Sequence, residues 1–315
     1  MILLSFVIPC YGSEKTIESV YKEISSKVAE KPEYDYEIIA VNDCSPDGVL
    51  SVLYHLNAQN NKFKVINLAR NMNRLGAVMA GLNSTSGDIV IVMDDDGQCP
   101  VERLWDLLEP LDHGFDVSIA KYPQHKQTLF KHFGTWVNKK MTEIVLKRPP
   151  DLEFTNFTAM KKYIAREIIQ YPNPYPYMTG LLLRTTKYIT NVVMEERERF
   201  SGKTTFTFRK MFSMWINGLT AFSVLPLRIA TFLGFVVSTT GFLLGLIFII
   251  RKLIRPDIAA GYSSIIVSIF ILDGIVLLIL GMVGEYIGRI YICLNKSPQY
   301  VIKDKVGFED REKEK

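Results

Sequence analysis

Apolar positions along the chain fall into two regimes. Through about residue 225, short apolar runs alternate with amphipathic stretches, and from 229 onward they become nearly continuous. Residues 2–9 form an apolar run that ends in Pro-Cys-Tyr-Gly, the pattern of a buried strand followed by a loop. In 14–29, Ile17, Val20, Tyr21 and Ile24 share one face at helical spacing. A second strand is expected at 36–41, stopped by Asn-Asp-Cys-Ser-Pro-Asp-Gly, then a helix at 49–57 and a third strand at 63–68. A helix follows at 76–82, and a fourth strand at 88–93 runs into Asp94, Asp95 and Asp96. Strands alternating with helices predict an α/β domain: a mostly parallel sheet with helices on both faces. Ligands of such sheets sit beyond the carboxyl ends of the strands. The polar clusters after strands one, two and four are therefore expected to line one crevice.

The second regime differs in kind. Residues 229–250 are 22 positions without a charge, and 261–284 are interrupted only by Asp273. Each is long enough to cross a hydrocarbon core of about 30 Å. The competing reading is a pair of buried core helices, which the uncharged length disfavours. Asp273, mid-span, is expected to hydrogen-bond near Ser238, Thr239 and Thr240 or to a neighbouring subunit. Two further segments have apolar faces flanked by bases: 129–141, with Phe130, Phe133 and Trp136, and 206–222, with Phe208, Phe212 and Trp215. Such helices suit an anionic membrane surface, and core packing against the sheet is the alternative. The expected organisation is an enzyme domain over 1–200, a juxtamembrane amphipathic helix over 201–228, two transmembrane helices over 229–284 and a tail over 285–315. Two spans put the domain and the tail on one side. A weak basic bias favours the cytoplasmic side of a bacterial inner membrane. The apolar start is short and lacks a basic flank, so it reads as a strand and not a signal peptide.

Composition narrows the partners. The formal net charge of +4 leaves no basic excess on the scale that nucleic acid requires. The four cysteines show no paired spacing, as expected of a reducing compartment. Cys10, Cys44 and Cys99 each follow a different strand. They read as small pocket-lining residues, with a metal–thiolate site as the lesser alternative.

The chemistry centres on the three adjacent carboxylates. Their mutual repulsion calls for a cation. On an extended segment Asp94 and Asp96 point to the same side, with Asp95 turned away. Hard oxygen ligands suit Mg²⁺ or Mn²⁺, although a solvated acidic turn has the same composition. Arg70, on the loop after strand three, is placed either to approach a nucleotide or as a surface residue.

Val7-Ile8-Pro9-Cys10-Tyr11, Val41-Asn42-Asp43-Cys44-Ser45 and Met93-Asp94-Asp95-Asp96-Gly97-Gln98-Cys99-Pro100 occur in the order of the motifs of family-2 glycosyltransferases with a GT-A fold, which the chain resembles. Residues 284–291, Gly-Glu-Tyr-Ile-Gly-Arg-Ile-Tyr, resemble a sequence typical of the polyisoprenyl-phosphate glycosyltransferases of that family, such as bactoprenol glucosyltransferases and undecaprenyl-phosphate aminoarabinose transferases. The resemblance implies a metal-dependent, inverting transfer from a nucleotide-sugar, UDP-linked by preference, to polyisoprenyl phosphate in a membrane, and a homo-oligomer, by family a tetramer. It implies that Pro9, Tyr11, Glu14, Asp43, Asp94 and Asp95 line the nucleotide site with Arg70, and that Asp94, Asp96 and Gln98 hold the metal. Arg199 and Gly202 match the family's Arg-x-x-Gly element, so Arg199, Lys203 and Arg197 are assigned to the acceptor phosphate, with a basic membrane-surface patch as the alternative. Asp96, Arg199 and Asp151 form the implied catalytic set. Asp151 lies one position out of register with the family's Asp, and Glu153 is its rival. The chain departs from the family where Asn42-Asp43-Cys44-Ser45 replaces Asp-Asp-Gly-Ser, where Gly12-Ser13 replaces Asn-Glu, and where Phe157-Thr158-Ala159 lacks an Arg. The rival functions are a polysaccharide synthase, whose Gln-x-x-Arg-Trp motif is missing, and a non-catalytic membrane scaffold.

Overall fold

The computed structural model describes residues 1–123, 143, 148–174, 176–195, 197, 225–254, 262–295 and 297–308. Both amphipathic segments, 129–141 and 206–222, as well as Arg199 and Lys203, lie outside these residues. The chain falls into two compact units: Met1–Phe212 together with Lys296–Lys315, and Ser213–Asn295.

The first unit is built on an eight-stranded sheet: β1 (Ile2–Cys10), β2 (Tyr34–Asn42), β3 (Phe63–Leu68), β4 (Ile89–Val92), β5 (Val117–Lys121), β6 (Thr158–Lys161), β7 (Ile189–Val193) and β8 (Ile302–Val306). Their spatial order is β7-β5-β6-β4-β1-β2-β3-β8. The central four, β4-β1-β2-β3, are parallel, while β6 and β8 run antiparallel to their neighbours β4 and β3. The continuous apolar runs of β1, β2 and β4 follow from burial of both sheet faces. On one face Leu4, Phe6, Ile8, Ile38 and Phe63 pack with α1 (Ile17–Val28), α2 (Val49–Gln59) and α4 (Leu104–Asp112). On the other, Ile39, Val41, Ile66 and Leu68 pack with Ala77 and Ala80 of α3 (Asn73–Leu82). Helix α3 lies so close to the sheet that a Cβ on Gly81 would come within 2.4 Å of Val7, so only glycine fits there. Helices α5 (Lys162–Ile169) and α6 (Met178–Thr185) complete the unit.

Beneath this sheet one carboxylate is fully engaged. Glu37 is 3% exposed and accepts from the Ser5 hydroxyl, from the Ser86 amide at 2.6 Å and from Lys64 Nζ at 2.6 Å. Burial pushes its carboxyl up, but Lys64 and these hydrogen bonds outweigh burial and hold it below the ordinary 4.5. A lowered folded pKa stabilises above the unfolded value, and that stabilisation is lost as pH falls through the folded value. Glu37→Gln is expected to cost about 3 kcal/mol in denaturant unfolding at neutral pH, a difference that closes below about pH 4.5.

The second unit contains α7 (Leu225–Ile254) and α8 (Tyr262–Leu294). Each holds a segment long and apolar enough to cross a membrane, Leu227–Ile247 and Leu272–Leu294. The second helix extends ten residues beyond the expected limit of 284, so the 284–291 motif is helical, with Glu285 and Arg289 paired one turn apart at 2.8 Å. Asp273 is expected to bond near Ser238, Thr239 and Thr240, and the two helices meet where a Cβ on Gly234 would lie 3.7 Å from Ile279 Cδ1. The Thr240 hydroxyl, however, donates to the Val236 carbonyl within its own helix. The region expected as a tail, 285–315, is not of one kind: the helix occupies it to Leu294, and β8 joins the sheet of the first unit. The helical pair is thus an insertion between β7 and β8.

Candidate active site

The loops after β1, β2, β3 and β4 open at one edge of the parallel sheet, and backbone-to-side-chain hydrogen bonds tie them together. The Tyr11 amide donates to Asp95 Oδ2 at 3.0 Å, joining the first loop to the fourth. The Gly12 amide donates to Ser45 Oγ at 2.8 Å, and the Glu14 amide to Asp47 Oδ2 at 3.0 Å, joining the first loop to the second. The Met72 amide donates to Asp43 Oδ1 at 2.6 Å, joining the second loop to the start of α3. Pro9 is buried in β1, whereas Tyr11, at the start of the first loop, is 56% exposed.

Several residues expected at the nucleotide also brace the loops. Asp43 is buried and caps the start of α3 through the amides of Met72 and Asn73. The Glu14 carboxylate accepts from the Gly48 amide at 3.1 Å, at the start of α2. Asp95 turns back toward the Tyr11 amide, as the alternation along an extended strand requires. Arg70 is exposed, with its Nε on the Met72 sulfur at 3.2 Å.

Burial raises the Asp43 and Asp95 carboxyls to about 6, the charge of Asp94 adding to the effect at Asp95. A folded pKa raised above the unfolded 3.8 favours the fold fully below 3.8, and the advantage is lost as pH rises through 6. The melting temperature of Asp43→Asn, relative to the natural chain, is therefore expected to climb as pH rises from roughly 4 to 7. Parallel melts across that range would show that Asp43 does not titrate there.

Asp94 and Asp96 occupy the loop after β4, and Gly97 reverses the chain behind them at a left-handed φ of 79°. The Gln98 amide donates to Asp96 Oδ1 at 3.1 Å, and both residues are half-buried. Asp94 accepts on both oxygens, from Arg74 Nε at 2.6 Å and from Asn156 Nδ2 at 2.5 Å. Neither partner was anticipated: both are distant in sequence and carry no local motif. A cleft of about 270 Å³ opens beside Asp94 and is lined by Gln98, Cys99, Tyr122 and Phe154 through Asn156. Asp151 is exposed and does not line this cleft, and Glu153 pairs with Lys121 at 3.4 Å.

Arg197, expected at an acceptor phosphate, is paired with carboxylates in the structure. Its guanidinium binds Glu23 of α1 at 2.6 Å and also Glu102, because the two acidic side chains flank it. Its amide donates to the Gln98 carbonyl at 3.2 Å, so it braces the Asp-rich loop from behind. Among the described residues no three His, Cys, Asp or Glu side chains converge as a ready metal cage. Cys10 and Cys99 are buried, with thiols pushed up by desolvation, which is unsuited to thiolate ligation. The donor set at the cleft is carboxylate oxygen with a neighbouring amide. This fits a hard divalent ion whose remaining positions go to phosphate oxygens and water.

The profile of glycosyl transferase family 2 matches residues 5–169. The chain is 32% identical over 304 residues to an SfII prophage-derived bactoprenol glucosyl transferase of Shigella flexneri, covering 95% of this chain and 97% of that one. It is 30% identical over 308 residues to an uncharacterized glycosyltransferase, YkcC, of Bacillus subtilis, covering 98% of this chain and 95% of the relative. Among solved structures, glucosyl-3-phosphoglycerate synthase from Mycobacterium tuberculosis, in complex with Mn²⁺, uridine diphosphate and glucosyl-3-phosphoglycerate, superposes with a TM-score of 0.51 at 19% identity. That match covers 68% of this chain and 76% of the synthase, and it shows a shared fold. The Asp-rich crevice, the mixed sheet and the matched profile agree: the chain belongs to glycosyl transferase family 2.

Proposed function

We propose that this glycosyltransferase moves a sugar, with inversion, from a UDP-linked donor to a polyisoprenyl phosphate at a bacterial cytoplasmic membrane. The observation that carries this reading is the pairing, in one chain, of a crevice bearing Asp94 and Asp96 with an inserted pair of helices long and apolar enough to cross a membrane. Similarity to a bactoprenol glucosyl transferase over nearly both whole lengths supports the lipid acceptor. The uridine diphosphate and Mn²⁺ of the structurally similar synthase are consistent with the donor and the metal class. Because a two-span insertion returns the chain to the side it left, residues 1–200 and β8 would share the cytoplasmic side, with 201–228 at the membrane surface. The resemblance to the lipid-acceptor subgroup also favours a homo-oligomer.

Asp94 and Asp96, with Gln98, would hold Mg²⁺ or Mn²⁺. Bound there, the ion offsets the charge that builds on the departing nucleoside diphosphate. Tyr11 and Pro9 would bound the nucleoside. Asp43 would act by fixing the start of α3, and also through its remaining lone pairs. The acceptor oxygen attacks the anomeric carbon as the bond to the diphosphate breaks. A phosphate monoester, with a second pKa of about 6, is already largely anionic at neutral pH, so no strong base is required. Arg199 and Lys203 would hold the acceptor phosphate.

The test is incubation of membranes containing the protein with radiolabelled nucleotide-sugars and undecaprenyl phosphate, followed by lipid extraction. Label is expected in the lipid phase from a UDP-sugar and only with divalent metal. If no donor labels the lipid, the acceptor assignment is wrong. If label enters polymer instead, the synthase reading replaces it.

A further inference from the structure

Asp94 is already occupied. One oxygen takes Arg74 Nε at 2.6 Å and the other takes Asn156 Nδ2 at 2.5 Å. Asn156 is neutral and can remain beside a bound cation. Arg74 is a permanent cation, and a divalent ion placed on the same carboxylate would meet it as a like charge. The ion pair is therefore a competitor for the residue that the metal would use.

Arg74 is also incompletely satisfied. Its Nη2 is buried and has no hydrogen-bond partner among the described residues. A buried guanidinium nitrogen left unpaired is costly, and its planar fork of donors matches the oxygens of a phosphate. The backbone holds this side chain at the crevice. Arg74 is the second residue of α3, whose first amides are fixed by the buried Asp43. The helix start itself presents further partial positive charge to an anion. An unfilled donor, a helix start and a carboxylate that must be vacated thus coincide at one residue.

We propose that Arg74 is the resident counter-ion of Asp94: it neutralises that carboxylate while the site holds no metal and, when a divalent cation takes Asp94, transfers its guanidinium to the diphosphate of the donor. This rests on the reading of Asp94 and Asp96 as the metal-holding pair. The exchange makes metal and donor binding cooperative. Metal alone must displace Arg74 with nothing to receive it, whereas metal arriving with a diphosphate supplies the guanidinium with a new partner. Arg74 then lies against the leaving group where charge accumulates.

The test is Mn²⁺ binding to the detergent-solubilised full chain, followed by the free-ion electron paramagnetic resonance signal without nucleotide, and then UDP binding at saturating Mn²⁺. Arg74→Gln is expected to tighten Mn²⁺ alone roughly 10-fold and to weaken UDP roughly 10- to 100-fold, within the range of ordinary site-to-site coupling. Arg74→Lys keeps the charge but not the fork. It should bind Mn²⁺ as the natural chain does and still lose UDP affinity. If Arg74→Gln leaves Mn²⁺ binding unchanged or weaker while Asp94→Asn and Asp96→Asn lose it, the counter-ion proposal fails and the metal reading stands. If both Asn variants bind Mn²⁺ like the natural chain, the metal reading itself fails. Should Arg74→Gln not fold, Arg74→Lys decides, and unchanged UDP affinity there overturns the proposal.

Discussion

Replacing Asp96 with alanine is expected to reduce lipid glycosylation on the order of 10³-fold or more, whereas Asp151→Asn should leave activity within roughly 10-fold of the natural chain. The contrast follows from where the two carboxylates lie. Asp96 sits half-buried on the loop after β4, its Oδ1 held by the Gln98 amide at 3.1 Å and the loop braced behind by the backbone of Arg197. Asp151 is exposed, and among the described residues its carbonyl is held by Lys121 Nζ at 3.2 Å. Removal of a working general base costs about 10²- to 10⁴-fold. The proposed phosphate acceptor, already anionic, would remove that demand, while the departing diphosphate of a nucleotide-sugar donor would remain costly whichever acceptor is used. Initial rates with a saturating UDP-sugar and undecaprenyl phosphate measure both effects. Equal and complete loss in the two variants would mean that a carboxylate base is essential and that the assignment of roles is wrong.

The same comparison shows which parts of the site could be read from sequence. The four parallel strands announce themselves because both faces are covered, leaving unbroken apolar runs such as Phe6-Val7-Ile8 and Ile38-Ile39-Ala40-Val41. Their order in the chain places the loops of Tyr11, Asp43 and Asp94 at one edge without any tertiary information. What these residues hold was not legible. Asp43, Glu14 and Asp95 look like ligands in a motif, yet each accepts from a backbone amide of another loop, a contact that depends on loop conformation. Arg74 was hidden by a boundary. With α3 expected from 76, position 74 reads as loop, whereas the helix beginning at Asn73 carries it in the first turn beside Asp94. Strands β5, β6 and β7 are four or five residues long, too short for periodicity to separate them from loop, and their pairing is set by neighbours distant in sequence.

Ending the chain after Asn295 is expected to leave the protein aggregated or degraded, although that segment carries none of the expected site residues. In sequence, Ile302-Lys-Asp-Lys-Val306 is mostly charged and resembles a solvated tail. In the structure it is β8, antiparallel to β3, and the Ala69 amide donates to the Val301 carbonyl at 2.8 Å. Tyr300, Ile302 and Phe308 cover Ile39, Val41, Ile66, Leu68, Ala77 and Ala80. Asp304 closes a polar chain: Asn42 Nδ2 donates to Asn67 Oδ1 at 2.8 Å, Asn67 Nδ2 donates to Asp304 Oδ2 at 2.8 Å, and the Tyr54 hydroxyl donates to Asp304 Oδ1 at 2.5 Å. Half-burying these three large side chains contributes roughly half of the 1.5–3 kcal/mol each that full burial gives. Leaving Asn67 without its acceptor adds about 1–3. Together these approach the lower end of the roughly 5–15 kcal/mol that separates folded from unfolded domains, and the uncovered β3 would present an open edge for pairing with other chains. A charged edge strand is how such a sheet discourages that pairing, which is why its sequence looked like a tail. Asp304→Ala isolates the polar share. It should lower stability by about 2 kcal/mol while the chain still reaches the membrane. Size-exclusion profiles of the truncated chain and thermal melts of Asp304→Ala are the measurements. A truncated chain that stays monodisperse, with an unchanged melting temperature, would mean that β8 decorates the sheet without completing it.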